Sequence, residues 1–93
     1  MSAASEQREV FYRGRVQGVG FRYTVRSLAA RRRVTGFVRN MPDGRVQLVA
    51  EGEPAEVQGL LADVRDEMRR YISGVEEFAR EPTGQFRDFV ITH

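Results

Sequence analysis

The apolar residues of this sequence follow two different periods, and the order in which these periods alternate leaves few possible folds. Helical spacing, which places apolar side chains on one face, occurs twice. The first stripe comprises Phe21, Val25, Leu28 and Ala29, and the second comprises Val57, Leu60, Leu61, Val64 and Met68. Proline at position 54 suits the first turn of a helix. We therefore predict helices over residues 22–33 and from residue 54 onward.

Runs rich in branched and aromatic residues, typical of strands, surround both helices. They lie at residues 9–14, 36–40, 45–51 and 72–80, with a fifth at 86–92. Met41-Pro42-Asp43-Gly44 predicts a hairpin turn, because proline presets the first corner and glycine tolerates the left-handed end. The order β-α-β-β-α-β with a fifth C-terminal strand predicts an α+β, ferredoxin-like two-layer sandwich. Right-handed crossovers would place both helices on one face of an antiparallel or mixed sheet.

The length of 93 residues suits one small domain with a modest core. Residues 1–7 are small and polar and are predicted to form a flexible N-terminus, with a single domain over residues 8–93. No segment is long and apolar enough for a membrane span or a signal sequence. Together with the absence of cysteine, this predicts a cytoplasmic protein without disulfides, and a monomer is the default expectation.

All fifteen cationic residues are arginine, and the sequence contains neither lysine nor cysteine. Thiol nucleophiles, thiolate metal sites and lysine Schiff bases are therefore excluded. The acidic residues Asp43, Glu51, Glu53 and Glu56 suit a turn and a helix start better than a metal site, so we predict no metal and no cofactor. We interpret His93 as a surface residue and the three arginines at 31–33 as the solvated end of the first helix.

Glycines at positions 18 and 20 separate the first strand from the first helix. Such a loop can turn backbone N–H groups toward an anion beside the positive end of the helix, although it can also serve merely as a tight connection. Arg22 favours the anion site. A cation in the first helical turn opposes the helix dipole, and no Ser, Thr, Asp or Asn immediately before it supplies a cap. A bound dianion would satisfy both the arginine and the helix.

Asn40 ends the strand that precedes the hairpin. Its amide could orient a water or a substrate oxygen, or it could simply start the turn, and both roles are common for asparagine.

The segment from Gly14 to Arg22, followed by residues 36–40, 43–46 and 52, resembles the two signature segments of acylphosphatases. The resemblance implies a metal-independent hydrolase that splits the carboxyl-phosphate bond of a small-molecule acyl phosphate. It implies that Arg22 and Asn40 are catalytic, with Asn40 orienting the attacking water. The resemblance also implies that the phosphate is bound by Arg22 and by the loop residues Val16, Gln17, Gly18, Val19, Gly20 and Phe21. Residues 67–72 depart from the family, in which many members have a Gly/Pro-rich connection here.

Two other functions share this element order. RNA-recognition modules are one, and the isoelectric point of about 9.7 invites the comparison. They need paired aromatic signatures on the central strands, however, and residues 35–40 lack the second glycine-aromatic step, so we expect no nucleic-acid partner. The other is a domain that captures phosphate or carbamoyl phosphate without turnover, as acylphosphatase-like domains do in larger carbamoyl-transfer proteins. The short chain argues moderately against that role.

Overall fold

The computed structural model describes residues 5–93, and its elements follow the predicted order. The strands are β1 (Glu6–Gly14), β2 (Val34–Asn40), β3 (Val46–Gly52), β4 (Ile72–Arg80) and β5 (Phe89–Ile91). The helices are α1 (Phe21–Ala29) and α2 (Pro54–Glu67), and a short 3₁₀ turn over Arg69–Tyr71 leads into β4. None of the described helices is long and apolar enough to cross a membrane.

The five strands form one mixed sheet in the order β4-β1-β3-β2-β5. The first four strands pair antiparallel, with Val10 opposite Leu48 and Val38 on the other side of that same leucine. β5 instead runs parallel to β2 along the edge. The predicted ferredoxin-like sandwich is therefore confirmed, and the parallel edge strand makes the sheet mixed.

Both helices pack on the same face of the sheet, as the right-handed crossovers predicted. The stripe residues of both helices are buried against alternate residues of the strands, chiefly Val10, Tyr12, Val38, Val46 and Leu48. Burying side chains of this size stabilises the fold by about 1.5–3 kcal/mol each, so this single layer of contacts holds the helices in place. The N-terminus of α1 is thereby fixed at the end of the sheet where β1 and β2 finish.

Several predicted boundaries differ from the structure; β5, for example, spans Phe89–Ile91 rather than residues 86–92. β1 begins at Glu6, so residues 6 and 7, predicted to lie in the flexible terminus, pair with β3. The remaining residues of that predicted terminus, apart from Ser5, lie outside the described part. Helix α1 ends at Ala29 rather than at residue 33.

The arginines at 31–33 consequently form a turn rather than the solvated helix end we expected. Arg32 donates from Nε to the Asp63 carboxylate of α2 at 2.9 Å, and the N–H of Arg33 donates to Glu56 at 2.8 Å. This contact with the second helix satisfies the backbone where α1 stops, and spacing along a single helix could not reveal it.

The segment joining β4 to β5, residues 81–88, connects the two opposite edges of the sheet. The Glu51 carboxylate, only 6% exposed, anchors this segment by accepting hydrogen bonds from the backbone N–H groups of Thr83 (2.9 Å) and Gly84 (2.6 Å). The ring of Phe86 packs on that of Phe37 with centroids 6.0 Å apart. This anchored segment ends where β5 begins, at the edge of the sheet beside β2.

Candidate active site

The loop between β1 and α1 takes its shape from two glycines. Gly18 and Gly20 have φ angles of 78° and 79°, in the left-handed region that other residues seldom adopt. Gly20 is also the N-cap of α1, where no side chain caps the helix and the first turn contains no acidic residue. The N–H groups at a helix start lack intrahelical partners and carry the positive end of the dipole. An anion can therefore bind at this end of α1.

Three side chains fix the loop to the rest of the fold. Val16 and Phe21, at its two ends, are 1% and 2% exposed and belong to the core. The side-chain amide of Gln17 donates to the carbonyl oxygens of Met41 (2.9 Å) and Arg45 (3.0 Å). The loop is thus held against the β2–β3 turn, a link that the sequence pattern did not indicate.

Arg22 is the second residue of α1 and is partly buried. Within residues 5–93, no carboxylate lies at ion-pair distance from its guanidinium. Its side-chain contact is with His93, whose Nδ1 lies 3.4 Å from Nη1 of Arg22. Because no carboxylate neutralises it, the positive charge of such an arginine at a helix N-terminus is available to an anionic ligand.

His93 reaches this site through the parallel pairing of β5 with β2. Ile91 lies opposite Val38, so two residues further along both chains the same register leads to His93 and Asn40. The N–H of Thr92 still donates to the carbonyl of Val38, at 3.0 Å. The expectation that His93 is merely a surface residue therefore misses its contact with Arg22. The contact could have been predicted only if β5 had been known to run parallel to β2. A strand of three residues is too short for its direction to be inferred from the sequence.

Asn40 is the last residue of β2, and its side chain lies on the helix side of the sheet, as that of Val38 does. Its amide oxygen Oδ1 is buried and has no hydrogen-bond partner, alone among the buried side-chain polar atoms of the described residues. A buried acceptor without a partner costs about 1–3 kcal/mol. Such a cost at the edge of a cavity is typical of an atom that meets a ligand or an ordered water.

One cavity of about 220 Å³ brings the predicted residues together. Its walls are formed by Val16, Gly18, Gly20, Phe21, Arg22, Tyr23 and Asn40. The structure thus places Asn40 beside the loop and Arg22. It adds Tyr23, which the sequence analysis did not single out. Gln17 and Val19 do not line the cavity. Gln17 instead holds the loop against the β2–β3 turn, and Val19 packs against the core.

A larger depression of about 600 Å³ lies at the β2–β3 turn. Its charged side chains already have partners: Arg45 pairs with Asp43 at 2.8 Å, and Arg13 pairs with Glu76 at 3.0 Å. Cations that are neutralised in this way attract an anion less than Arg22 does. We therefore place the site in the smaller cavity. Among the described residues, no three His, Asp or Glu side chains cluster as metal ligands would.

A ferredoxin-like sandwich in which a left-handed glycine loop and an uncapped helix start lie beside Arg22, an arginine with no carboxylate partner within residues 5–93, is an α+β fold with a candidate anion site. Comparison with known proteins identifies the family. The acylphosphatase family model matches residues 8–91. The acylphosphatase of Methylococcus capsulatus is 42% identical over 84 residues, covering 88% of this chain and 90% of its own length. The chain therefore belongs to the acylphosphatase family of hydrolases.

Solved structures agree with this assignment. The crystal structure of acylphosphatase from Bacillus subtilis matches with a TM-score of 0.85 at 30% identity, covering 95% of this chain and 99% of that one. The crystal structure of HypF from T. kodakarensis matches with a TM-score of 0.81 at 26% identity, covering 95% of this chain but 12% of that one. The same domain thus occurs within a much longer protein.

Proposed function

We propose that this protein hydrolyses the carboxyl-phosphate bond of small acyl phosphates without a metal ion, giving a carboxylate and inorganic phosphate. The observation that carries the proposal is the buried, unpartnered Oδ1 of Asn40 in the same cavity as Arg22 and the glycine loop. A carboxamide oxygen accepts a hydrogen bond from water, so a water bound there would have an oriented lone pair. We assign Asn40 to orient that water for in-line attack.

In this mechanism Arg22 and the backbone N–H groups of residues 16–21 hold the phosphoryl group. Phosphoryl transfer passes through a loose transition state with charge spread over the phosphoryl oxygens, so positioning and electrostatic stabilisation supply most of the catalysis. The arginine has no competing carboxylate among the described residues, and the start of α1 adds its dipole. Both features support binding of a dianion at this place.

The leaving group explains why so few catalytic side chains suffice. A carboxylic acid has a pKa near about 4, so the departing carboxylate needs no proton from a general acid. As the bond from phosphorus to the acyl oxygen breaks, the attacking water forms the new bond and gives its proton to phosphate or solvent. The cavity contributes one arginine, one asparagine and backbone amides, which match these needs.

The charges on the open face of the sheet favour this enzyme over an RNA reader. RNA-recognition modules use that face to stack bases beside available cations. Here Arg80 pairs with Glu9 at 2.9 Å, Arg13 pairs with Glu76, and Arg45 lies over the ring of Phe11 with its guanidinium carbon 4.5 Å from the centroid. We further propose that the protein acts as a cytoplasmic monomer with no nucleic-acid partner.

Steady-state hydrolysis of acetyl phosphate, with and without EDTA, tests the proposal. We expect equal activity in both conditions. Arg22→Ala should lose phosphate binding and turnover, whereas Asn40→Ala should keep phosphate affinity and lose about 10²–10³-fold in kcat, the usual effect of removing one well-placed polar group. Arg70→Ala, at an exposed arginine outside the cavity, is the matched control and should behave as wild type.

Three outcomes would contradict the proposal. Activity that disappears with EDTA would refute the metal-independent mechanism. Equal activity of wild type and Arg22→Ala would refute the site. Tight phosphate binding without turnover would instead indicate a domain that captures phosphate.

A further inference from the structure

Tyr23 has an unusual position for an aromatic residue. It is the third residue of α1, and its neighbours Phe21 and Val25 turn into the core. Tyr23 itself is 61% exposed, and it is one of the residues that line the active-site cavity. An exposed aromatic residue therefore borders the cavity, next in sequence to Arg22, the arginine proposed to bind the phosphate.

The ring has little protein to pack against. The other large apolar side chains that are exposed in the described part, Val75, Phe78 and Val90, lie on strands β4 and β5 and are 39–44% exposed. Phe78 also packs edge-on against Phe11, with centroids 6.1 Å apart. Tyr23 contacts no other aromatic ring among residues 5–93; the guanidinium carbon of Arg26 lies 5.3 Å from its centroid. Its outer surface is open to a ligand.

The remaining walls of the cavity show which part of a substrate would meet this ring. The loop glycines and Arg22 face the phosphate, and Asn40 faces the water. The apolar walls that are left belong to Val16, Phe21 and Tyr23. Val16 and Phe21 are 1% and 2% exposed, so little of their surface can touch a ligand. Tyr23 is the one apolar wall with accessible surface.

We propose that Tyr23 is a specificity-determining residue that contacts the acyl group of the substrate, and that it favours flat, apolar acyl groups such as benzoyl over small ones such as acetyl. This proposal rests on the hydrolysis of acyl phosphates proposed above. An aromatic acyl group can stack on the ring or meet it edge-on, and either contact removes apolar surface of both partners from water. An acetyl group has only one methyl group, so it removes much less apolar surface from water and gains less binding free energy.

The test compares kcat/KM for benzoyl phosphate and acetyl phosphate in wild type, Tyr23→Ala and Tyr23→Phe. Because both substrates are measured on the same preparation, a loss of folded protein cancels in the ratio. We expect the benzoyl-to-acetyl ratio to fall about three- to tenfold in Tyr23→Ala, in line with the usual strength of an aromatic pair. Tyr23→Phe retains the ring and should retain the ratio.

Phe78→Ala is the matched control, since it also removes a partly exposed ring, but from β4 and outside the cavity. It should leave the ratio unchanged. If Tyr23→Ala hydrolyses both substrates with the ratio of wild type, the role of Tyr23 is refuted and the proposed function is untouched. If wild type hydrolyses neither substrate, the proposed function fails and the role of Tyr23 fails with it.

Discussion

The imidazole ring of His93 contacts the guanidinium group of Arg22. The contact requires the tautomer in which Nδ1 carries no proton and can accept a hydrogen bond from Arg22, while Nε2 carries the proton. At 3.4 Å it is a long hydrogen bond and its contribution should be small. Its consequence is geometric, because it restrains the guanidinium at the opening of the cavity before substrate arrives.

Replacing His93 by alanine should therefore raise KM for acetyl phosphate about two- to threefold, the low end of the range for one hydrogen bond, while kcat changes little. His93→Gln supplies another acceptor and should recover part of the loss. Steady-state kinetics of the three proteins provide the measurement. A large fall in kcat with unchanged KM would show that His93 acts on the reacting atoms instead.

Gly20 offers a second prediction at the level of a single residue. A side chain at this position would meet no atom within 4 Å, so only its left-handed backbone opposes substitution. Gly20→Ala should lower the free energy of unfolding by about 1–2 kcal/mol, and Gly20→Asn should lower it less, because asparagine tolerates this conformation better. Urea unfolding measures the stability, and KM for acetyl phosphate shows the effect on the loop.

The matched control is Gly84→Ala, since Gly84 also has a positive φ, 68°, with open space around it, but lies in the segment between β4 and β5. It should lose stability and leave KM unchanged. If both variants raised KM alike, the shape of the loop at Gly20 would not matter for binding.

At the level of elements, Glu51 joins β3 to the segment that leads to β5. Burial alone would raise the pKa of Glu51, but hydrogen bonds to its carboxylate outweigh that effect and hold the pKa below its ordinary value. The donors are the backbone N–H groups of Thr83 and Gly84, the Thr83 hydroxyl and the side-chain amide of Gln7. A carboxylate with a lowered pKa stabilises the fold above its unfolded pKa, and the stabilisation is lost as the pH falls through the folded value.

Glu51→Gln should thus be less stable than wild type at pH 7 by about 1.5–3 kcal/mol, the usual value for hydrogen bonds to a charged group. The difference should begin to shrink below the ordinary glutamate pKa of 4.5, where the unfolded chain takes up a proton, and it should disappear as the pH falls through the lowered pKa of the folded carboxylate. Urea unfolding at pH 7 and at pH 3 measures it. Glu81→Gln, at an exposed acid in the same segment, should show no such trend, and a difference that is constant with pH would contradict the role of the charge.

For the whole molecule, the ends of β1, β2 and β5 and the start of α1 meet at one site, so a ligand there should oppose global unfolding. Inorganic phosphate, present at 100 times its Kd, should raise the free energy of unfolding by about 2.7 kcal/mol. Urea unfolding in phosphate and in chloride, at equal ionic strength, measures the gain. Arg22→Ala should lose most of it and Arg70→Ala should keep it. Equal stabilisation of both variants would indicate phosphate binding elsewhere.

Much of this fold could be predicted from the sequence, because local patterns determine it. The stripe from Val57 to Met68 and the turn around Pro42 depend on residues within a few positions of each other, and both predictions are confirmed. The placement of Asn40 beside Arg22 follows from strand order. The end of β2 lies beside the loop, and Asn40 and Arg22 line the same cavity.

The side-chain contacts that escaped prediction depend on partners distant in sequence. His93 meets Arg22 across 71 positions, Arg32 meets Asp63 across 31, and Gln17 meets the β2–β3 turn across 24 and 28. The spacing of apolar residues does not indicate such side-chain contacts. Any polar residue on the solvent-facing side of a helix or strand fits the same pattern, whatever its partner is. The roles of Arg22 and Asn40 in catalysis stay predictions that the proposed kinetics would test.

The single amide group of Gln17 spans the carbonyls of Met41 and Arg45, on either side of the β2–β3 turn. Loop and turn are therefore mechanically joined, and a strain applied to one is transmitted to the other. The chain contains no cysteine, so one introduced at the exposed Pro42 would carry a unique spectroscopic label. Such a label would report ligand binding at the loop from outside the cavity, without occupying any atom that the ligand needs.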